Sequence, residues 1–325
     1  MGSIKFRVDG SPEIGLGHLV RSKALADILK DEFSAEFYCR LIPQSVLDEF
    51  EHSGLPVFAI QNEIEFLHSL NASDVAVIDG YGFDSDYQKE IKKTGAKLVC
   101  IDDLAKGDFV ADLIINQSPG AEISDYNALS ETQFALGPDY ALLRASFLRA
   151  DVQFADPKYR KNLLICFGGS DVLNITEKAV KLASDFKEFD KLTIITGSAY
   201  AHDLSLKNTL QEYDHCEYYH AVSEQKMAEL MIESDAAIVP ASGILFEAFA
   251  TKNVVVSGMY IDNQKKNYEA FKKKNSFIDA GRFGAGEIKL ALQQVQEFEP
   301  SDVVDGESPE RLLSAIKSVV KRTSE

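Results

Sequence analysis

The sequence predicts an α/β protein built from two domains, each with a parallel sheet. Short apolar runs alternate with amphipathic segments, beginning with IKFRV and then GHLVRSKALADILKD, as in strands covered by helices. The same alternation restarts at NLLICF near residue 162. With 325 residues, of which 45% are hydrophobic, the chain is long enough to bury two cores.

The polar segment LRADVQFADPKYRKN separates the two series of runs, and its proline and weak periodicity are typical of a linker. We therefore expect an N-terminal Rossmann-like domain over residues 1–154 and a C-terminal one over residues 155–325. The final run, SPERLLSAIKSVVKR, begins with Ser and Pro at plausible N-cap and N1 positions. It either completes the second domain or packs back across the first.

Composition limits the classes of partner. A formal net charge of −17, spread along the chain, argues against nucleic acid and anionic membrane surfaces, and no apolar stretch reaches the length of a membrane span. Four scattered cysteines without a C-x-x-C pair favour reduced thiols. We expect a cytoplasmic protein, either a monomer or a weak homo-oligomer, that binds a small molecule.

The first motif, VDGSPEIGLGHLVR, places glycines at positions 15 and 17 between a strand and a helix. The positive end of the helix favours a neutral His18, which could accept a proton as a general base; capping or lining the loop is the alternative. Arg21 lies on the same helical face and could hold a substrate anion, although an ion pair is its more ordinary fate. Val20 replaces the third glycine of G-x-G-x-x-G, so no dinucleotide cofactor is indicated.

The second motif, VIDGYGFDSDY, ends a buried strand with Asp79 and displays Tyr81 between two glycines. Open α/β sheets bind ligands at the carboxyl ends of their strands, where Tyr81 could bond a sugar and Asp79 could orient a neighbour. A turn cap and a packed ring are the alternatives. The pair Asp102 and Asp103 follows another strand, but without supporting ligands we expect a loop or cap there, not a metal site.

Three further segments predict a polar pocket in the second half of the chain. In ICFGGSD and ASGILFEA, glycines follow a strand and precede a helix, so backbone amides could hold phosphate without cationic side chains. Glu247 could accept the hydroxyls of a ribose, or it simply complements a helix dipole. In MYIDNQKKN, Asn263 and Gln264 either finish the pocket or act as helix caps.

These motifs occur in one order along nearly the whole chain, together with IDD, INQ and LGPDYALLR. In that order they resemble the PseG family of UDP-2,4-diacetamido-2,4,6-trideoxy-β-L-altropyranose hydrolases and its SpsG-like relatives. The resemblance implies a GT-B fold, in which two Rossmann-like domains face a cleft, and kinship with the MurG glycosyltransferase. It also implies a hydrolase of pseudaminic acid biosynthesis that needs no metal or cofactor. The tail after residue 277 is longer than in smaller members, and we assign it to the second domain.

On this resemblance, His18 activates the attacking water. The positions implied for the sugar side are Asp9, Gly17, Arg21, Tyr81, Asn263 and Gln264. Those implied for UDP are Gly168, Gly169, Ser170, Ser242, Gly243, Ile244 and Glu247. A glycosyltransferase and a binding module without catalysis remain as alternatives on the same fold.

Overall fold

A computed structural model of the chain describes residues 3–11, 15–148, 152–300 and 302–321. The chain divides into two compact units, the first drawn from Met1–Ala145 and Glu307–Glu325, the second from Ser146–Gly306. None of the helices within the described ranges is both long and apolar enough to cross a membrane.

The first unit is built on a seven-stranded sheet in which every neighbouring pair is parallel. Its strand order is β3-β2-β1-β4-β5-β7-β9, and a short β6-β8 pair lies apart from it. The strands are β1 (Ile4–Val8), β2 (Ala35–Cys39), β3 (Val57–Ala59), β4 (Val75–Asp79), β5 (Lys97–Ile101), β6 (Asp108–Phe109), β7 (Leu113–Asn116), β8 (Asn127–Ala128) and β9 (Gln133–Leu136).

Apolar side chains cover both faces of this sheet. In β4, Val75 and Val77 belong to one buried cluster, whereas Ala76 and Ile78 belong to the other, as the two-residue period of a strand requires. The helices of this unit are α1 (Gly17–Leu29), α2 (Gln44–His52), α3 (Glu63–Ser69), α4 (Ser85–Lys93) and the last helix of the chain, α11 (Ser308–Lys321).

Helix α11 packs in the first unit, against α1 and β7. Its buried stripe consists of Leu312, Ile316 and Val319, all at most 1% exposed, and burial of each contributes about 1.5–3 kcal/mol. The assignment of the whole tail to the second domain therefore needs correction, because the chain returns to the first unit at Glu307. The other boundary lies at 145/146, about ten residues before the expected one, because Phe147 is already buried within the second unit.

The second unit repeats the design with a six-stranded parallel sheet of order β12-β11-β10-β13-β14-β15. Its strands are β10 (Asn162–Cys166), β11 (Lys191–Thr196), β12 (Cys216–His220), β13 (Ala236–Pro240), β14 (Val254–Gly258) and β15 (Ile278–Asp279). Its helices are α5 (Ile175–Ala183), α6 (Asp203–Leu210), α7 (Glu224–Ile232), α8 (Gly243–Ala250), α9 (Lys265–Lys273) and α10 (Ala285–Leu292).

Each sheet has one position where the direction of strand addition reverses. In the first unit it lies between β1 and β4, and in the second between β10 and β13. At such a switch point the connections leave toward opposite faces of the sheet and open a crevice at the carboxyl ends of the strands. Four of the predicted site motifs follow β1, β4, β10 and β13, so they begin at these two crevices, and the fifth, with Asn263 and Gln264, follows the neighbouring β14.

Candidate active site

His18 is the second residue of α1, and its ring is oriented by a carboxylate. Gly15, with φ of 88°, turns the chain before the helix begins. His18 is 6% exposed, and its Nδ1 lies 2.6 Å from Oδ1 of Asp79. Of the described residues, none forms a hydrogen bond with Nε2. Because the first ring nitrogen faces a carboxylate, the second is available to a proton donor such as water.

Asp79 ends β4 and is the centre of this cluster. Its carboxylate, 1% exposed, accepts hydrogen bonds from His18, from Nε of Arg21 at 2.7 Å and from the Ser22 hydroxyl at 3.2 Å. Burial alone would raise the pKa of Asp79, but the charge of Arg21 and the contacts with His18 outweigh it and lower this pKa to about 2. Asp79 therefore stays ionised and can hold the histidine ring in one orientation.

Arg21 bridges two carboxylates. Besides Asp79, its Nη1 donates to Oδ2 of Asp103 at 2.9 Å, and its side chain is 13% exposed. Burial would lower the pKa of Arg21, but the two acids hold it well above its usual range. The structure thus favours the ion-pair alternative for this residue, since its donors are directed at Asp79 and Asp103.

Tyr81 is the exposed member of the cluster. Its ring meets that of His18 edge-on, with 4.9 Å between the centroids, and the residue is 52% exposed. Its hydroxyl lies 3.4 Å from Oδ2 of Asp103. Burial and the nearby Asp103 raise the pKa of Tyr81, which keeps the phenol protonated as a hydrogen-bond donor. This placement matches the predicted display of Tyr81 at the carboxyl edge of the sheet.

Asp9 and Gly17 differ from these residues. The Asp9 carboxylate accepts hydrogen bonds from the backbone amides of Arg40 and Leu41 and pairs with the buried Arg7, so its recorded contacts are all structural. Gly17 begins α1, and an added Cβ there would meet no atom of the described residues within 4 Å.

The motif VIDGYG predicts an orienting role for Asp79, but neither Asp79 nor Asp103 is among the predicted site residues. Asp79 ends β4 and Asp103 follows β5, and the carboxyl ends of these neighbouring parallel strands share one edge of the sheet. Knowing that β4 and β5 are neighbours would have predicted that Asp103 lies near Asp79. Its position in the sequence predicted only a loop.

In the second unit, the turn after β10 offers backbone donors. Gly168 has φ of 81°, and among the described residues no acceptor bonds the N–H groups of this turn, at Gly168, Gly169 and Ser170. The first amides of α5 are not available, because Asp171 accepts hydrogen bonds from the amides of Ile175 and Thr176. An anion in this crevice would therefore meet the turn and not the end of α5.

The N-terminus of α8 lies next to it, since β13 pairs with β10. Ser242 is the N-cap, but its side chain makes no capping hydrogen bond, and a Cβ on Gly243 would meet nothing within 4 Å. No described acceptor bonds the amides of Gly243 and Ile244. Glu247, 7% exposed, lies one turn further along the same helix.

Asn263 and Gln264 follow β14 in a short 3-10 turn, Asp262–Gln264. Gln264 is buried, and its side-chain oxygen accepts a hydrogen bond from the amide of Tyr260, so it shapes its own loop. Asn263 is exposed and free to meet a ligand. Over the described ranges, no three His, Cys, Asp or Glu side chains form a group that could hold a metal ion.

No protein-family model matches the chain. Among characterised proteins it is 28% identical, over 85% of its length and 98% of the relative, to the UDP-2,4-diacetamido-2,4,6-trideoxy-β-L-altropyranose hydrolase of Campylobacter jejuni. It is also 28% identical to the spore coat polysaccharide biosynthesis protein SpsG of Bacillus subtilis, over 84% of this chain and 82% of that one. An uncharacterised protein of Methanocaldococcus jannaschii is 28% identical over 82% of this chain, which spans only 58% of its length.

Solved structures show the fold. MurG of Acinetobacter baumannii superimposes with a TM-score of 0.65, covering 98% of this chain and all of that one at 12% identity. MnaA of S. aureus, solved with UDP, gives 0.66, covering 100% and 98% at 11% identity. At such identities the likeness is one of architecture, and these neighbours include GT-B glycosyltransferases. The chain is therefore similar in sequence to that hydrolase and to SpsG, and it has a GT-B fold.

Proposed function

We propose that the protein hydrolyses a UDP-linked 2,4-diacetamido-2,4,6-trideoxy hexose to the free sugar and UDP, as a step in pseudaminic-acid-type biosynthesis. The observation that carries the proposal is the His18–Asp79 pair, which leaves Nε2 of a buried histidine without a described partner at the switch point of the first sheet. The similarity to the Campylobacter hydrolase over 85% of the chain supports the substrate class.

The proposed chemistry is one displacement at C1. The Nδ1–H group of His18 donates a hydrogen bond to the ionised Asp79, while Nε2 accepts a proton from the attacking water. Arg21 cannot then donate to the same Nδ1, although its Nη2 lies 3.1 Å away, since both atoms carry hydrogens. A single displacement inverts the configuration at C1, because no covalent sugar intermediate forms.

UDP is a good leaving group once its charge is stabilised, so the protein must mainly position water and hold the departing diphosphate. We assign that second task to the unbonded amides of the Gly168–Ser170 turn and of the α8 N-terminus. Glu247 accepts the ribose hydroxyls in this scheme. Tyr81 and Asn263, both exposed, contact the sugar, and the proposal needs no metal or cofactor.

A UDP-sugar glycosyltransferase is the second candidate, supported by the fold shared with MurG. A UDP-sugar 2-epimerase is a further alternative on the same fold. A non-catalytic binding module would keep the glycine turns but would have no use for an oriented His18. Incubating the protein with UDP-sugars and no acceptor separates these functions. A hydrolase releases UDP and free sugar, and a 2-epimerase exchanges the C2 proton for deuterium in D2O. A glycosyltransferase without its acceptor and a binding module do neither, so this result would set the hydrolase aside.

The experiment is a UDP-release assay over a panel of diacetamido UDP-sugars and UDP-N-acetylglucosamine. Replacing His18 with Ala should lower kcat by about 10²- to 10⁴-fold, the usual contribution of a general base. His68→Ala is the matched control, since His68 is exposed at the end of α3 and should retain kcat within about twofold. In H₂¹⁸O the label should enter the sugar and not UDP. A His18→Ala protein that hydrolyses at the wild-type rate would refute the mechanism.

A further inference from the structure

The contacts of Arg21 give this residue a task that substrate binding does not explain. Its guanidinium lies between the carboxylates of Asp79 and Asp103, 58 and 82 residues away in sequence. Nε, Nη1 and Nη2 all face these two acids, and only 13% of the side chain is exposed. A substrate anion would have to displace one of these carboxylates to reach it.

The charged and titratable groups around His18 lie at four places in the chain. Arg21 lies one turn further along α1, Asp79 ends β4, Tyr81 follows it in the next loop, and Asp103 follows β5. Asp103, after β5, reaches the cluster through Arg21 and Tyr81, and its Oδ1 is buried without a partner in the described structure. Among these residues, two carboxylates and one guanidinium therefore surround a single imidazole.

Arg21 lies where its positive charge would repel a protonated His18. Nη2 of Arg21 and Nδ1 of His18 are 3.1 Å apart, and both face Oδ1 of Asp79. The guanidinium is permanently charged, so a protonated imidazole at this point would lie against a fixed positive charge. Two isolated carboxylates, by contrast, would draw a proton onto the ring and leave no lone pair to accept one from water.

We propose that Arg21 is a positioning residue, which fixes Asp79 and Asp103 and offsets their charge beside His18 so that the imidazole remains a proton acceptor. This inference rests on the proposed role of His18 as the base. It adds that Arg21, by bonding Asp79 at the end of β4 and Asp103 after β5, sets the net charge beside the base.

The test compares charge changes of opposite sign around the same ring. Arg21→Met removes the positive charge and keeps a side chain of similar length. The acid limb of the profile of kcat/KM against pH should therefore move to higher pH by about one unit or more, as expected for a charge within about 5 Å at an effective dielectric of about 20. Asp103→Asn removes a negative charge that lies further from the ring, and it should move the acid limb to lower pH by about half a unit. Arg21→Lys keeps the charge and should return the limb to near its wild-type position.

A second readout does not need the activity. The imidazole of His18 can be titrated by NMR in the free protein, through its ¹³Cε1 signal, and the midpoints should shift in the same opposite directions in the two variants. If no UDP-sugar is hydrolysed, the proposed function fails, while this titration still decides the role of Arg21. Midpoints that move the same way in Arg21→Met and Asp103→Asn, or that stay within about 0.3 pH units of wild type, would overturn the inference. If Arg21→Met does not fold, Asp103→Asn decides the question: its midpoint should fall while that of Arg21→Lys stays near wild type, and an Asp103→Asn midpoint that rises or does not move overturns the inference.

Discussion

The carboxyl edges of the two sheets share a topology but differ in the groups that they present. In both units the first strand runs into a glycine turn and a helix at the switch point. The first edge is filled by ionised and aromatic side chains bonded to each other, with His18, Arg21 and Asp79 at its centre. The second presents small residues and backbone N–H groups, at Gly168–Ser170 and Gly243, that no described acceptor bonds.

The difference shows how one architecture can serve two chemical tasks. Proton transfer needs a titratable side chain held in one orientation, which only neighbouring side chains can supply. An anion needs many weak donors at close range, which the backbone supplies where side chains are absent. An acidic protein with a net charge of −17 can hold a diphosphate in this second way without cationic side chains.

The largest effect should come from breaking the first edge alone. Asp79→Asn keeps the shape but removes the negative charge and turns one of the two acceptor oxygens into a donor NH2, which no longer selects the Nδ1–H form of His18, so we expect kcat to fall by about 10³- to 10⁴-fold. The dissociation constant of UDP, measured by calorimetry, should stay within about twofold if the second edge alone holds the nucleotide. Asp86→Asn is the control, because Asp86 is exposed on α4. A parallel loss of UDP binding would contradict the division of tasks.

A smaller effect concerns stability in acid. The pKa of Asp79 is lowered from 3.8 to about 2 in the folded protein, so its ionised form stabilises the fold above about pH 4 and this contribution disappears as the pH falls toward 2. The loss amounts to about 2 kcal/mol of unfolding free energy. Urea unfolding at pH 6 and pH 3 should show that Asp79→Asn removes about 1 kcal/mol of the pH dependence, since the rest of the loss falls below pH 3.

The second unit offers a matched comparison in Glu177, outside the candidate site. Burial tends to raise its pKa, but hydrogen bonds from Lys181 and Ser205 lower it below its usual range. Glu177→Gln should therefore remove its own share of the acid sensitivity and leave that of Asp79 intact. If wild type and Asp79→Asn lose equal stability between pH 6 and pH 3, Asp79 does not hold its charge as the structure implies.

The smallest effect should come from the second edge. Gly169→Ala adds a methyl group that meets no atom of the described residues within 4 Å, so it should leave stability unchanged and weaken UDP binding by about tenfold. Gly168→Ala is the contrasting variant, because φ of 81° strains an alanine by about 1 kcal/mol and should lower the unfolding free energy as well. Should Gly169→Ala bind UDP as tightly as wild type, the turn does not approach the nucleotide.

The sequence predicted much of the fold because strand and helix periodicities are local. It predicted two parallel-sheet units, the glycine turns and the display of Tyr81, all of which the structure contains. It left the partner of α11 open between the two domains, since an amphipathic stripe specifies a buried face and not the surface that covers it. It also included Asp9 among the sugar contacts, whereas backbone amides and Arg7 occupy that carboxylate.

By itself the sequence determined which elements form and which residues stand at the carboxyl ends of their strands, because hydrophobic period and glycine placement act over a few residues. The tertiary structure alone decided that Asp79, 61 residues from His18, orients the ring and that Arg21 joins Asp79 to Asp103. Those contacts depend on strand order and on competition among charges for a few buried partners. Neither the strand order nor this competition can be predicted from a single segment of the chain.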